Sequence, residues 1–176
     1  MANASFRADS PFLADSGGIL RWPGGEARCA LGKGGVTPAD AKREGDGASP
    51  IGVWPMRQVF WRADRLERPV TALPADALMP EAGWCDDPAS PLYNFPVALP
   101  FPLRHEKLWR EDELYDVIVV LGYNDNPVLP GRGSAIFLHV ARPDYSPTEG
   151  CVACSREDLL ALLKTAKMGD ALEIRA

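Results

Sequence analysis

Val117-Ile118-Val119-Val120-Leu121 and, after a turn at Pro130-Gly131-Arg132-Gly133, Ser134-Ala135-Ile136-Phe137-Leu138-His139-Val140 are the two runs that decide the fold. Both are apolar without alternation, the pattern of a strand covered on both faces. Working outward, Ile19–Trp22 and Glu26–Leu31 flank Pro23-Gly24-Gly25 and predict a hairpin. Ile51–Ala63 is rich in β-branched and aromatic residues and reads as a strand interrupted by Pro55, and Ala171–Arg175 alternates like a closing strand. One helix is expected. Ser155 stands three residues before Asp158 in a capping pattern, Leu159, Leu160, Leu162, Leu163 and Ala166 form the stripe, and Gly169 ends it. Residues 32–50 read as a polar loop, and 69–102 as a long, proline-rich irregular excursion. Residues 1–18, small and polar, read as a loosely ordered arm, with one domain over 19–176. The fold class is therefore mainly β (α+β), with one or two short helices and long proline-rich loops.

Composition narrows the function. The 176 residues hold 17 Pro and 16 Gly, a load that a helical bundle does not carry. A chain of this length buries roughly 70% of its unfolded surface and needs no disulfide or metal staple. Acidic residues outnumber basic ones by 24 to 19, which argues against a nucleic-acid partner, because phosphate neutralisation needs clustered Lys and Arg. No stretch is long and apolar enough for a transmembrane segment, and the first residues lack the apolar core of a signal peptide. With two His and only one close Cys pair, no metal site and no cofactor are expected.

The chemistry converges on Cys151, in Thr148-Glu149-Gly150-Cys151-Val152. Gly150 permits a tight turn directly before the thiol. The helix N-terminus downstream is expected to lower the thiol pKa. His139 places a titratable group in an otherwise apolar strand, and if strand and loop run side by side its imidazole can take the thiol proton. The bland alternative is an inert buried Cys and a core His. A thiol–disulfide redox protein using Cys151 and Cys154 is a rival, since Cys151-Val152-Ala153-Cys154 leads into a helix; a thioredoxin-like domain, however, expects several helices. Cys29 and Cys85 read as buried and inert, and His105 as a solvated side chain in a charged segment. Leu31-Gly32-Lys33-Gly34-Gly35 is a turn, lacking the Gly-Lys-Ser/Thr of a phosphate loop.

His139 followed by Thr148-Glu149-Gly150-Cys151-Val152 resembles the signature of L,D-transpeptidases with a YkuD-type catalytic domain: a His on a strand, then Ser or Thr, any residue, Gly, Cys and an apolar residue. Lys42-Arg43-Glu44-Gly45-Asp46-Gly47-Ala48-Ser49-Pro50-Ile51-Gly52 is similar to another stretch of that family. Trp84-Cys85-Asp86-Asp87 and Leu121-Gly122-Tyr123-Asn124 look like its compact, single-domain α-proteobacterial branch.

The resemblance implies a β-sandwich with a cradle of loops over the site, and peptidoglycan stem peptides as donor and acceptor. Cys151 would attack the carbonyl between the third residue, usually diaminopimelate, and D-Ala. The resulting thioester would pass to an amine, giving a 3→3 or 1→3 cross-link, or to water. His139 would be the base. Thr148 would orient the site, and the Gly150 and Cys151 N–H groups would form the oxyanion hole. Tyr123, Asn124 and Glu149 would be substrate-binding residues. Carbapenem β-lactams would be covalent inhibitors, and the site of action periplasmic. A non-catalytic peptidoglycan-binding domain keeping the fold is the other alternative. Two departures stand out: Glu149 where many members carry His, and Ala153 where many carry Arg or Asn. A carboxylate at 149 would raise the thiol pKa if the two were close.

Overall fold

The computed structural model describes residues 10–176. The chain runs β1 (Phe12–Asp15), β2 (Ile19–Trp22), β3 (Gly25–Ala30), β4 (Val36–Pro38), β5 (Ser49–Trp61), β6 (Ala75–Ala77) and β7 (Ala82–Cys85). It continues through β8 (Pro96–Ala98), β9 (His105–Lys107), β10 (Val117–Leu121), β11 (Phe137–Val140), β12 (Val152–Cys154), α1 (Arg156–Leu163) and β13 (Ala171–Arg175). Mainly-β architecture follows, with one short helix among the described residues. No helix among them is long and apolar enough to cross a membrane.

Strand β5 organises the sheet. Its first half pairs with β13 and β4, its second half with β10 and β6. From β10 the order continues β11-β12-β3-β2-β1-β13 and returns to β5, so the large sheet closes on itself. The result is barrel-like, where a two-sheet sandwich is expected from the resemblance. Closure removes most exposed edges, which suits a chain whose strands are short.

Alternation along the strands explains the continuous apolar runs. Val117, Val119 and Leu121 join one core cluster with Leu138, Val140 and Val152, and Leu159, Leu162 and Leu163 of α1 pack there too. Each such Leu contributes about 2 kcal/mol of transfer free energy. Ile118, Phe137 and Cys151 point the other way, into a second cluster with Trp84, Leu108 and Tyr115. That outer face is covered because β8-β7-β9 form a separate three-stranded sheet.

Three expectations need correction. The arm expected over 1–18 is structured from Phe12. There β1 pairs in parallel with β13 and antiparallel with β2, and Phe12 and Ala14 are buried. Residues 1–9 of that arm lie outside the described residues. The order at Phe12 comes from a partner strand about 160 residues away, as Phe12↔Leu172 shows, and local composition cannot reveal it. The proline-rich stretch 69–102 is not irregular throughout, since it supplies β6, β7 and β8. The helix ends at Leu163 rather than at Gly169, because Thr165 Oγ1 donates to the Leu162 carbonyl at 2.9 Å and satisfies the last turn.

Candidate active site

The parallel pairing of β11 with β12 sets Leu138 beside Val152 and His139 beside Ala153. One step back, Cys151 lies beside Phe137. Side chains two apart on a strand share a face, so Phe137, His139 and Cys151 all project to the outer face of the large sheet. His139 and Cys151 line one cavity of about 390 Å³, together with Thr148, Ser134, Tyr115 and Glu106. A larger cavity, about 560 Å³, adjoins it through Leu114 and Arg142 but holds neither Cys151 nor His139. The smaller one has the chemistry.

Cys151 is held from several directions. Its Sγ donates to the Ala135 carbonyl at 3.2 Å, and the Phe137 N–H donates to the sulfur at 3.4 Å. Its own carbonyl accepts from Thr148 Oγ1 at 2.7 Å and from Ser49 Oγ at 3.3 Å. Gly150 has φ +130, and a Cβ there would sit 2.9 Å from the Ala48 carbonyl oxygen, so the turn before the thiol requires glycine on both counts. The Gly150 N–H donates to Thr148 Oγ1 at 3.1 Å. That donor is engaged within the turn, contrary to the oxyanion role expected of it.

The electrostatics also differ from expectation. Burial pushes the Cys151 thiol up to about 12; Glu106 adds to the rise, while the Phe137 N–H and Lys42 oppose it. The helix N-terminus does not activate it, because β12 stands between Cys151 and the cap at Ser155. Nor is Glu149 the acid that matters. It is exposed and paired with Lys33 at 2.8 Å. Glu106, on β9 and distant in sequence, is the acid that acts on the thiol.

His139 is buried, and desolvation brings its imidazole down to about 4, against a smaller opposing effect of the Val140 carbonyl. Nδ1 lies 2.9 Å from that carbonyl, which can only accept, so the neutral ring carries its hydrogen there and leaves Nε2 with the lone pair. Tyr115 packs edge-on against the ring at 5.1 Å, and its hydroxyl donates to Glu106 Oε1 at 2.5 Å. At neutral pH the site therefore holds an uncharged thiol and an uncharged imidazole.

The segment resembling a family motif lies beneath this site. Lys42 is buried and paired with Asp46 at 2.5 Å. Glu44 Oε2 accepts from Ser134 Oγ at 2.7 Å and Tyr93 Oη at 2.5 Å. Tyr123 and Asn124 do not line the cavity. Tyr123 donates to the Arg132 carbonyl at 2.5 Å and packs edge-on against Trp54, while the Asn124 side chain braces Leu129 and Gly133. His105 reaches the cavity margin, with Nδ1 2.7 Å from the Leu103 carbonyl. Sequence reasoning missed Glu106, Tyr115 and Asn94; their positions come from long-range packing, and the Tyr and Asn carry no local signal.

Cys154 cannot pair with Cys151. It faces the first core cluster while Cys151 faces the second. Three residues along a strand separate their Cα atoms by roughly 10 Å, beyond the reach of a disulfide. All four cysteines are free. The redox reading loses its geometric basis.

The family model of the YkuD L,D-transpeptidase catalytic domain matches residues 10–174 of this chain. No curated protein and no solved structure matches.

Proposed function

From membership in the YkuD L,D-transpeptidase catalytic-domain family, to which the chain belongs, we propose that this protein is a cysteine-dependent acyltransferase acting on peptidoglycan stem peptides. The observation that carries the reading is the β11–β12 register, which puts His139 and Cys151 on one face of one cavity.

In this reading Cys151 Sγ attacks the carbonyl between the third stem residue and D-Ala as its proton moves to His139 Nε2. General-base assistance of this kind is worth about 10²–10⁴ in rate. The tetrahedral oxyanion takes a hydrogen bond from the Cys151 N–H, the Gly150 N–H being held by Thr148. The C–N bond then breaks, D-Ala leaves with the proton from the imidazole, and the donor stem remains as a thioester. An amine of a second stem, or water, releases it, giving a 3→3 or 1→3 cross-link or a shortened stem. Because peptidoglycan lies outside the cytoplasmic membrane, the reading carries a periplasmic site of action.

Intact-protein mass after incubation with a carbapenem tests it, because the lactam carbonyl stands in for the donor peptide bond. An adduct on the wild type that is absent from Cys151→Ala is expected. A folded wild type that remains unmodified by both the carbapenem and a donor tetrapeptide would sink the reading.

A further inference from the structure

We propose that Cys29 and Cys154 are the two halves of an intrachain disulfide that staples β3 to β12, the strand that follows the nucleophile. The pairing goes beyond the acyltransferase reading and does not rest on it.

The four cysteines are thiols in this structure, and these two are the pair that the sheet sets face to face. Strands β3 and β12 run antiparallel, with Cys154 opposite Cys29 and Ala153 opposite Ala30. Directly opposite residues share a face of the sheet, and both side chains accordingly belong to the first core cluster. The backbone fixes which kind of pair this is. The Cys29 N–H points away from β12 and donates to the Gly18 carbonyl, at the start of β2, at 2.7 Å. The Cys154 carbonyl accepts from the Ala141 N–H, just past β11, at 2.7 Å. Neither residue turns its backbone groups to the other, so the two form a non-hydrogen-bonded pair. In such pairs the Cα atoms stand about 4.5 Å apart, with the side chains at their closest. That separation lies within the range of about 4.4–6.8 Å that a disulfide spans.

Cys154 is fully buried, whereas Cys29 borders a cavity of about 260 Å³ between Gly17, Gly35 and Pro147. Exchange with an external disulfide therefore starts at Cys29. Its sulfur displaces one thiol from the incoming disulfide and leaves a mixed disulfide; the Cys154 sulfur then attacks Cys29 Sγ and releases the second thiol. Two protein thiols are oxidised, one external disulfide is reduced, and the two protons end on the thiols released. Burial pushes the Cys29 thiol up to about 12, so exchange is slow once the core has closed and faster while the chain folds. The bond holds more than two strands. Past β3, the Leu31 carbonyl accepts the Thr148 N–H at 2.9 Å, and the Thr148 carbonyl accepts the Lys33 N–H at 2.7 Å. The segment that carries Cys29 thus already grips the turn before Cys151, and a bond at Cys154 closes the grip after it. Cys151 itself stays free, facing the second cluster.

The test refolds the full chain with oxidised and reduced glutathione, blocks the remaining thiols with N-ethylmaleimide, and compares the product with chain refolded in dithiothreitol. In the wild type and in Cys151→Ala alike, two thiols are expected to escape the maleimide, and trypsin should release residues 29–33 joined to 133–156. Reducing the bond should lower the midpoint of thermal unfolding by about 5–15 °C, the effect of a bond that closes a loop spanning most of the chain. Cys29→Ala and Cys154→Ala should lose both the cross-link and the response to reductant. Recovery of residues 29–33 as the maleimide adduct, or a cross-link that disappears in Cys151→Ala, would overturn the pairing. A cross-link that leaves the midpoint unchanged or lower would overturn the staple. If either variant at 29 or 154 does not fold, the wild type and Cys151→Ala decide. None of these outcomes touches the acyltransferase reading, which the carbapenem adduct tests separately.

Discussion

Asn94 accepts the Ala135 N–H at 3.0 Å, and Ala135 in turn offers its carbonyl to Cys151 Sγ. The same Oδ1 takes the Trp84 indole N–H at 2.9 Å, while Nδ2 donates to the carbonyls of Tyr123 and Asn124 at 3.2 and 2.9 Å. One buried amide thus ties the small sheet, the strand end after β10 and the segment under the thiol. Its φ of 60 is a conformation that Asn tolerates better than most residues.

Asn94→Leu should therefore be severely destabilising. It keeps the approximate volume but leaves buried donors and acceptors without partners, each costing about 1–3 kcal/mol. A loss of about 3 kcal/mol or more by urea unfolding is expected, with at least a tenfold slower acylation of Cys151. Stability within about 0.5 kcal/mol of wild type would show that the hub is dispensable.

How much of this was legible in the sequence follows from range. The apolar runs 117–121 and 134–140 announce strands covered on both faces because nearest-neighbour composition encodes that directly; β10 spans the whole first run, whereas in the second only Phe137–Val140 forms β11 and Ala135 turns at φ 53. Ser155 was readable as a cap, and it accepts from the Asp158 N–H at 3.1 Å. His139 and Cys151 were legible through their motif, and the register brings them to one cavity. The order from Phe12, the closure of β10 onto β5 and the place of Glu106 depend on partners far along the chain. The thiol's raised pKa escapes the sequence for the same reason. Proximity to a helix cap was visible in the sequence, whereas burial under a second sheet was not.

The uncharged state of the pair predicts the pH response. An unfolded imidazole takes its proton near 6.5, whereas buried His139 waits until about 4. Between these values the unfolded state binds more protons, so stability rises with pH. The contribution is complete above 6.5 and drains as pH falls toward 4. Its size is on the order of 3 kcal/mol. His139→Gln should flatten that slope in denaturation measured from pH 7 to 4.5. For the thiol, raised to about 12, alkylation by iodoacetamide should keep climbing above pH 9. A plateau below pH 8 would mean a preformed thiolate and would overturn the neutral pair.

Thr148 separates positioning from bulk. Its hydroxyl accepts the Gly150 N–H and donates to the Cys151 carbonyl, closing the turn on both sides of the nucleophile. Thr148→Val preserves the shape and removes both bonds; the residue is buried, so water does not readily replace them. A loss of about 1–3 kcal/mol is expected, with slower acylation because the Gly150–Cys151 peptide is no longer fixed. Thr148→Ser retains the hydroxyl and should stay within about 1 kcal/mol of wild type with near-normal acylation. Comparing the two by carbapenem adduct rate and by thermal unfolding isolates the hydroxyl. Were Val to acylate as fast as Ser, the turn would be held by Gly150 and Ser49 alone, and Thr148 would have no part in placing the thiol.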